Sequence, residues 1–399
     1  MEQQAEAARS PLLNILLARE FVLAVVVVAA FLGMCVWEPT FHTRGNVVAL
    51  MIGMAPETIV AVAMTVLIVS GAFDLSVGSL MMFCPIVAYL LIRDGPVSRE
   101  LAALCGLGAA ILGGAVLIKL PWLRRAGTPV RAGVGGVGAI AAGIAMAAVL
   151  LSIAHPLPEL IASRVPRAAA AVPLIVALVA GLTVGATCGV CNGIIVTKAR
   201  VNPLIATLGM MEITRGLGYV LTNKLAVTQA GLGGLGQGWV VPSWVPVSAV
   251  LMVAVVAIGD VCLRRMRVLR QVYYIGGNEK AARLSGIRVE QVRVAAFILS
   301  GMLAALAGLV IASRLGSATT TAGEGAELRI IAAVVIGGAS LAGGEGTVLG
   351  AFLGCALMAL IGNALNHLDV STDWQKVVTG AVLVAAVSLD MLLKQRRGR

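Results

Sequence analysis

The chain has 399 residues, 59% of them apolar and only 12% charged, with a mean hydropathy of +0.98. So few charges cannot clothe a water-soluble fold of this size, so lipid must cover most of its outer face. The formal charge of +11 is carried between apolar segments, which points to membrane topology and away from nucleic-acid binding.

A membrane-crossing helix needs about 20 apolar residues. After a mixed-charge start, the stretch 21–37 reads as an uncleaved first span, with no small-residue cleavage site beside it. Further apolar stretches follow at 47–70, 77–92, 101–118, 132–153, 172–196, 203–222, 245–263, 294–313, 328–341, 347–365 and 374–393. The stretch 328–341 is short and reads as a half-span or a tilted element. The expected fold is an all-α, polytopic transmembrane bundle of about 10–12 spans, forming one domain over residues 1–399. With the N-terminus inside, the inner loops hold 20 Lys and Arg and the outer loops 7, which places both termini in the cytoplasm.

Two segments read as interrupted helices. The first runs Ser70-Gly71-Ala72-Phe73-Asp74-Leu75-Ser76-Val77-Gly78-Ser79. Asp74 can cap the helix after it, and a charge at that depth is also a pathway candidate, as is Ser76. The second is Val201-Asn202-Pro203, where Asn202 suits a cap and Pro203 a first turn, at a helix end that could gate the inner mouth. Glu212 and Arg215 sit three apart on one helix face and are expected to neutralise each other. Asn192, Thr207, Asn363 and Asn366 are polar candidates for a water-filled path, whose neutral donors and acceptors would suit a sugar.

Gly181, Gly185, Gly189 and Gly193 recur every fourth residue, as do Gly346, Gly350 and Gly354, with Gly362 further on. Each row offers a smooth helix stripe, for static packing or for sliding during gating. The seven cysteines sit mostly in apolar runs, and Cys188-x-x-Cys191 reads as small packing residues. His42, His155 and His367 fall in expected outer loops and suit surface or packing roles. No G-x-x-x-x-G-K-[ST] occurs, so the chain has no P-loop for ATP and is not expected to be an enzyme. Buried carboxylates are few, which favours a driving partner over an ion gradient.

The longest inner loop, 264–293, is the most informative. Asn278 suits an N-cap, Glu279-Lys280-Ala281-Ala282-Arg283-Leu284 a short helix, and Gly286 a C-cap, giving one amphipathic helix able to seat in a groove on a soluble partner.

Four segments together resemble a known family. They are Asp74 to Ser79; Asn202-Pro203-Leu204-Ile205-Ala206-Thr207-Leu208-Gly209-Met210-Met211 with Arg215-Gly216; Gly276-Gly277-Asn278-Glu279 through Ala281-Ala282-Arg283-Leu284-Ser285-Gly286-Ile287; and Ala322 to Gly344 with its Ile331-Ala332-Ala333-Val334-Val335-Ile336-Gly337-Gly338 core. In order and spacing the chain is similar to the membrane permease subunits of bacterial ABC importers for simple sugars of the ribose, xylose and galactose type. The resemblance implies an inner-membrane pathway built from two permease chains, a homodimer as the simplest case. It also implies a cytoplasmic ATPase that holds the ATP and Mg, and a periplasmic sugar-binding protein. The segment Gly276–Gly286 would be the coupling element, and this chain would bind no cofactor. Residues 119–170 are extra relative to shorter relatives, Arg329 stands where many carry an acid, and Leu204 where an aromatic is common. The competing readings are an ion-coupled secondary carrier of a small polar solute and a non-transporting membrane subunit.

Overall fold

The computed structural model describes residues 19–93, 166–229, 232–242 and 244–397. The expected spans 101–118 and 132–153, the segment 119–165, His155 and Cys105 lie outside the described residues. Twelve helices are described: α1 (Arg19–Trp37), α2 (Arg44–Val69), α3 (Val77–Arg93), α4 (Pro166–Thr197), α5 (Pro203–Thr222), α6 (Val247–Arg265), α7 (Arg267–Gly277), α8 (Glu279–Leu284), α9 (Val289–Leu315), α10 (Ala326–Ile336), α11 (Val348–His367) and α12 (Thr372–Arg397). Two antiparallel clips accompany them, β1 (Val227–Thr228) with β4 (Ser317–Ala318) and β2 (Trp239–Val241) with β3 (Val245–Pro246). Seven of the described helices are long and apolar enough to cross a bilayer, and α3 is a shorter apolar helix. The chain is therefore a polytopic helical membrane protein.

Helix α2 is the central post. Its neighbours are α6, α9, α10 and α11, and Ile59, Met64, Leu67 and Ile68 are sealed among them. Between apolar helices in lipid, close backbone approach holds the bundle, because lipid tails offer side chains no less apolar a home than protein does. The first glycine row does this work. Gly185 and Gly189 lie against the carbonyls of Gly301 and Phe297, and Gly193 against Val294, so α4 and α9 touch backbone to backbone. The second row packs Gly350 and Gly354 on Gly337 and Ala333 at the end of α10. Gly346 does not belong to that row as expected: it precedes α11 at φ +146°, a turn position. Gly362 is also off the contact, with open space where its Cβ would be.

Helix α10 has only 11 residues. At 1.5 Å rise it spans about 16 Å, half a bilayer, so the stretch 328–341 is a half-helix and its last residues form a turn. The loop 264–293 also differs from its expected form. It holds two helices rather than one, because the chain breaks only at Met266 and then winds on through α7 before α8. Val272 and Ile275 are its buried positions, while Arg267, Arg270 and Gln271 make the segment read as a basic loop beside the apolar α6.

Candidate functional site

The chain between α2 and α3 is non-helical, and several backbone groups at this break find partners inside the protein. The Val69 carbonyl accepts from Gly344 N at 2.8 Å, and the Ser70 carbonyl accepts from Arg293 Nη2 at 3.3 Å. Asp74, fully buried, organises the rest. Its Oδ1 accepts from the Ser76 N–H at 2.9 Å and the Ser76 hydroxyl at 2.5 Å, and its Oδ2 from the Ser300 hydroxyl of α9 at 3.0 Å. Asn192 Nδ2 of α4 adds 3.0 Å to Ser76 Oγ and 3.5 Å to Asp74. The Thr214 hydroxyl of α5 reaches Ser79 Oγ at 2.7 Å. Asp74 thus holds the Ser76 N–H that leads into α3, as its spacing suggested, and the knot it centres ties the start of α3 to α4 and α9. Asp74, Ser76 and Asn192 lie together but expose no surface. Ser300 and Ser79 are members that the sequence reading missed; Ser300 is one of two serines in the apolar run 294–313, and nothing local tied it to Asp74.

At the end of α2 that carries Val69, α7 and α8 form a compact element. Gly276 sits on the Val69 carbonyl and Gly344 N, too close for any side chain, while Gly277 is open. The Tyr273 hydroxyl donates to the Gly346 carbonyl at 2.7 Å. Asn278 caps α8 by accepting from Ala281 N at 3.0 Å, Ala282 is buried beneath, Ser285 ends the helix and Gly286 turns it at φ +81°. Glu279 is the hub, 3.0 Å from Arg283 and 2.8 Å from Arg293 of α9. Burial pushes the Glu279 carboxyl up, but Arg283 and Arg293 outweigh it and hold it below its ordinary 4.5. Arg293 and Ser300 are seven residues apart on α9, one face of one rod, so α9 connects Glu279 to the Asp74 knot. Leu284, 90% exposed, and exposed Tyr274, Val268 and Met266 form an apolar crown on this element.

At the other end of the bundle a cavity of about 810 Å³ opens between α2, α10, α11 and α12. It reaches Glu57, twelve residues from Val69 and so about 18 Å along α2 from the α7–α8 element. There Arg329, in the first turn of the half-helix α10, pairs with Glu57 through Nε and Nη2, both at 2.7 Å from Oε1. Asn363, Asn366 and Gln375 line the wall with Glu324, Arg314 and Lys376. Asn363 and buried Asn46 exchange amide bonds of 2.7 and 3.1 Å. Joining residues 272 positions apart, the Glu57–Arg329 pair had no local pattern to announce it.

The remaining expected site residues are dispersed. Asn202 accepts from Leu204 N at 2.9 Å and Pro203 opens α5, as their order suggested. The Thr207 hydroxyl donates to the Pro203 carbonyl of its own helix at 2.8 Å. The expected Glu212–Arg215 pairing is overturned: they form no ion pair, Glu212 is exposed, and Arg215 Nε is buried without a partner. Their side chains diverge because Arg215 turns in toward the bundle. Cys188 packs into the core, the described cysteines are free, and no metal-holding cluster occurs among the described residues. His367 is the last residue of α11, not a loop residue, and its ring lies edge-on to Phe41 at 5.2 Å.

Residues 46–387 match the family described as branched-chain amino acid transport system / permease component. The chain is 44% identical over 203 residues to the ribose import permease protein RbsC of Bacillus subtilis, 50% of this chain and 62% of that protein. It is 41% identical over 224 residues to RbsC of Escherichia coli K12, covering 54% and 68%. With the xylose transport system permease protein XylH of Escherichia coli K12 it shares 44% over 164 residues, 41% and 42% of the two chains. No solved structure gives a significant match.

Proposed function

The chain belongs to the branched-chain amino acid transport system / permease component family, and from that premise we propose that it is the membrane subunit of a bacterial ATP-driven importer for a simple sugar, a pentose or related monosaccharide. It works in the inner membrane with both termini in the cytoplasm, as the charge asymmetry of its loops favours. Relatives named for ribose and xylose support sugar over the amino acids of the family's description. The cavity wall supports it too: among its apolar residues it sets three amides, Asn363, Asn366 and Gln375, and the Glu57–Arg329 pair, donors and acceptors that hydroxyl groups can use.

The observation that carries the reading is the α7–α8 element. It is capped, crowned by exposed apolar residues, and seated on the backbone of α2 and of the turn before α11. An ATPase gripping that crown on the cytoplasmic side would move α2 and the half-helix α10 together, and Glu279–Arg293 would carry the same push along α9. ATP and Mg belong to that partner ATPase. The sugar, released by a periplasmic binding protein, enters the cavity at the opposite end, past Asn363 and Asn366, with Glu57–Arg329 as its floor. Two copies of the chain enclose the pathway, with Asn202, Pro203, Thr207, Glu212 and Arg215 of α5 beside it. The buried Asp74, Ser76 and Asn192 act as its hinge knot.

The test places Leu284→Arg in the crown and reads docking of the cognate ATPase to the purified chain. Loss of docking with intact membrane insertion is expected; undiminished docking would show that the ATPase grips elsewhere.

A further inference from the structure

Helix α1 stands at the edge of the bundle. None of the 18 residues of its span is buried, and the helix it leans on is α11. At one end the Thr347 hydroxyl donates to Glu20 Oε1 at 3.0 Å. Toward the other, the rings of Phe31 and His367 both meet Phe41, at 5.7 and 5.2 Å. Beside that ring contact the two helices part around a groove of about 370 Å³. Ala30, Gly33 and Met34 form one wall, Leu360 and Ala364 the other, and Trp37 stands at the head. Small residues keep it open: a Cβ on Gly33 would meet nothing.

The span of α1 ends at Trp37, a residue type at home in the membrane interface. The seven residues from Ala30 to Trp37 carry the groove about 10 Å down from there into the hydrocarbon. Its lining is apolar throughout, so water finds no partners in it and hydrocarbon fills it. A groove of that volume and depth has a cross-section of about 37 Å², less than half that of a helix 10 Å across. It therefore suits an acyl chain and not a helix of a partner.

The head of the groove is charged. Ala30, Met34 and Glu38 recur every fourth residue, and the Glu38 N–H still bonds the Met34 carbonyl at 2.8 Å, so Glu38 sits above Met34 on the groove side of α1. Its Oε1 accepts from the Thr40 hydroxyl at 2.8 Å and the Thr40 N–H at 3.4 Å, while Oε2 accepts from no group among the described residues. The Thr40 hydroxyl bond, more than any other contact, holds this carboxyl below its ordinary 4.5, so it is ionised at neutral pH. A carboxylate at headgroup height repels a lipid of net negative charge and attracts an ammonium that can donate hydrogen bonds.

We infer that the groove between α1 and α11 seats an acyl chain of a phospholipid whose headgroup is a primary amine, with Glu38 taking the ammonium. Ile361 lines both this groove and the cavity on the other side of α11, so the seated chain backs the cavity wall.

The purified, delipidated chain in detergent is titrated with phosphatidylethanolamine, phosphatidylglycerol or phosphatidylcholine of identical acyl chains, and bound lipid is counted by native mass spectrometry. The parent is expected to hold one phosphatidylethanolamine roughly tenfold more tightly than either of the others. Glu38→Gln is expected to keep one lipid but bring the three affinities within about twofold. Gly33→Leu or Ala30→Leu fills the groove and is expected to weaken phosphatidylethanolamine roughly tenfold, whereas Val28→Leu, exposed and off the groove, leaves it unchanged. A parent that binds the three lipids alike, or that holds a second copy of itself in place of lipid, overturns the proposal. So does parent-like binding by both groove-filling variants in chains that stay monodisperse. The readout involves no transport, so a chain that binds the lipid but imports no sugar would sink only the functional reading.

Discussion

Replacing Asp74 by Ala removes the acceptor at the centre of the knot between α3, α4 and α9. The loss strands the Ser76 N–H, the Ser76 hydroxyl and the Ser300 hydroxyl, all in buried residues. Each orphaned buried donor costs about 1–3 kcal/mol. A serine hydroxyl on a helix can turn back to a carbonyl one turn earlier and recover part of that, so Ser300 falls at the low end. The sum is about 3–7 kcal/mol, a large share of a typical domain's stability. Asp74→Asn keeps one acceptor oxygen and should lose about half as much. The assay is a thermal melt of the purified chain in detergent. Asp74→Ala should melt on the order of 10 °C below the parent, with Asp74→Asn between. An Ala variant that melts with the parent would refute the idea that this knot holds the helix ends together, and Ser300→Ala in the same series should reproduce only a fraction of the loss.

Three further outcomes are expected. Gly185→Val forces a side chain into the Gly301 carbonyl and should cost about 1–3 kcal/mol or more, whereas Gly33→Ala, with open space around it, should be silent; parallel melts check this. Glu279→Gln breaks a part-exposed contact worth at most about 1 kcal/mol, so folding should survive while sugar moved per ATP hydrolysed falls severalfold. Because Arg283 and Arg293 hold Glu279 below 4.5, its ionised contribution is complete above that pH and is lost only as pH falls through the lower folded value; coupling should therefore be flat between about pH 6 and 8, and a drop there in the parent but not in Glu279→Gln would contradict the assignment. Glu57→Ala leaves Arg329 uncompensated at the cavity floor and should cut uptake strongly, with Glu57→Gln combined with Arg329→Gln recovering part of it.

Local chemistry was readable from the chain itself. Asn278, Asn202 and Gly286 cap or turn the helices that their neighbours announce, because a cap acts within three residues of its own position. The Gly181–Gly193 row foretold a backbone contact, though only the structure shows that its partner is Gly301 and Phe297. What eluded the sequence is of two kinds. Pairings across the fold, such as Glu57 with Arg329 and Asp74 with Ser300, depend on which helices meet and leave no periodicity. Side-chain direction also escaped: Glu212 and Arg215 share a face by spacing, yet one points out and the other in, because α5 turns only part of that face toward α3 and α4. Helix α7 went unseen because its polar face resembles a basic loop when α6 before it sets the hydrophobic standard.

The most direct measurement reconstitutes the chain in liposomes with its cognate ATPase and follows uptake of radiolabelled pentoses and hexoses presented by its cognate binding protein. Uptake of one of these sugars that requires ATP and persists when proton and sodium gradients are collapsed is the predicted result. Uptake by the chain alone that needs no ATP and vanishes with the gradient would contradict it.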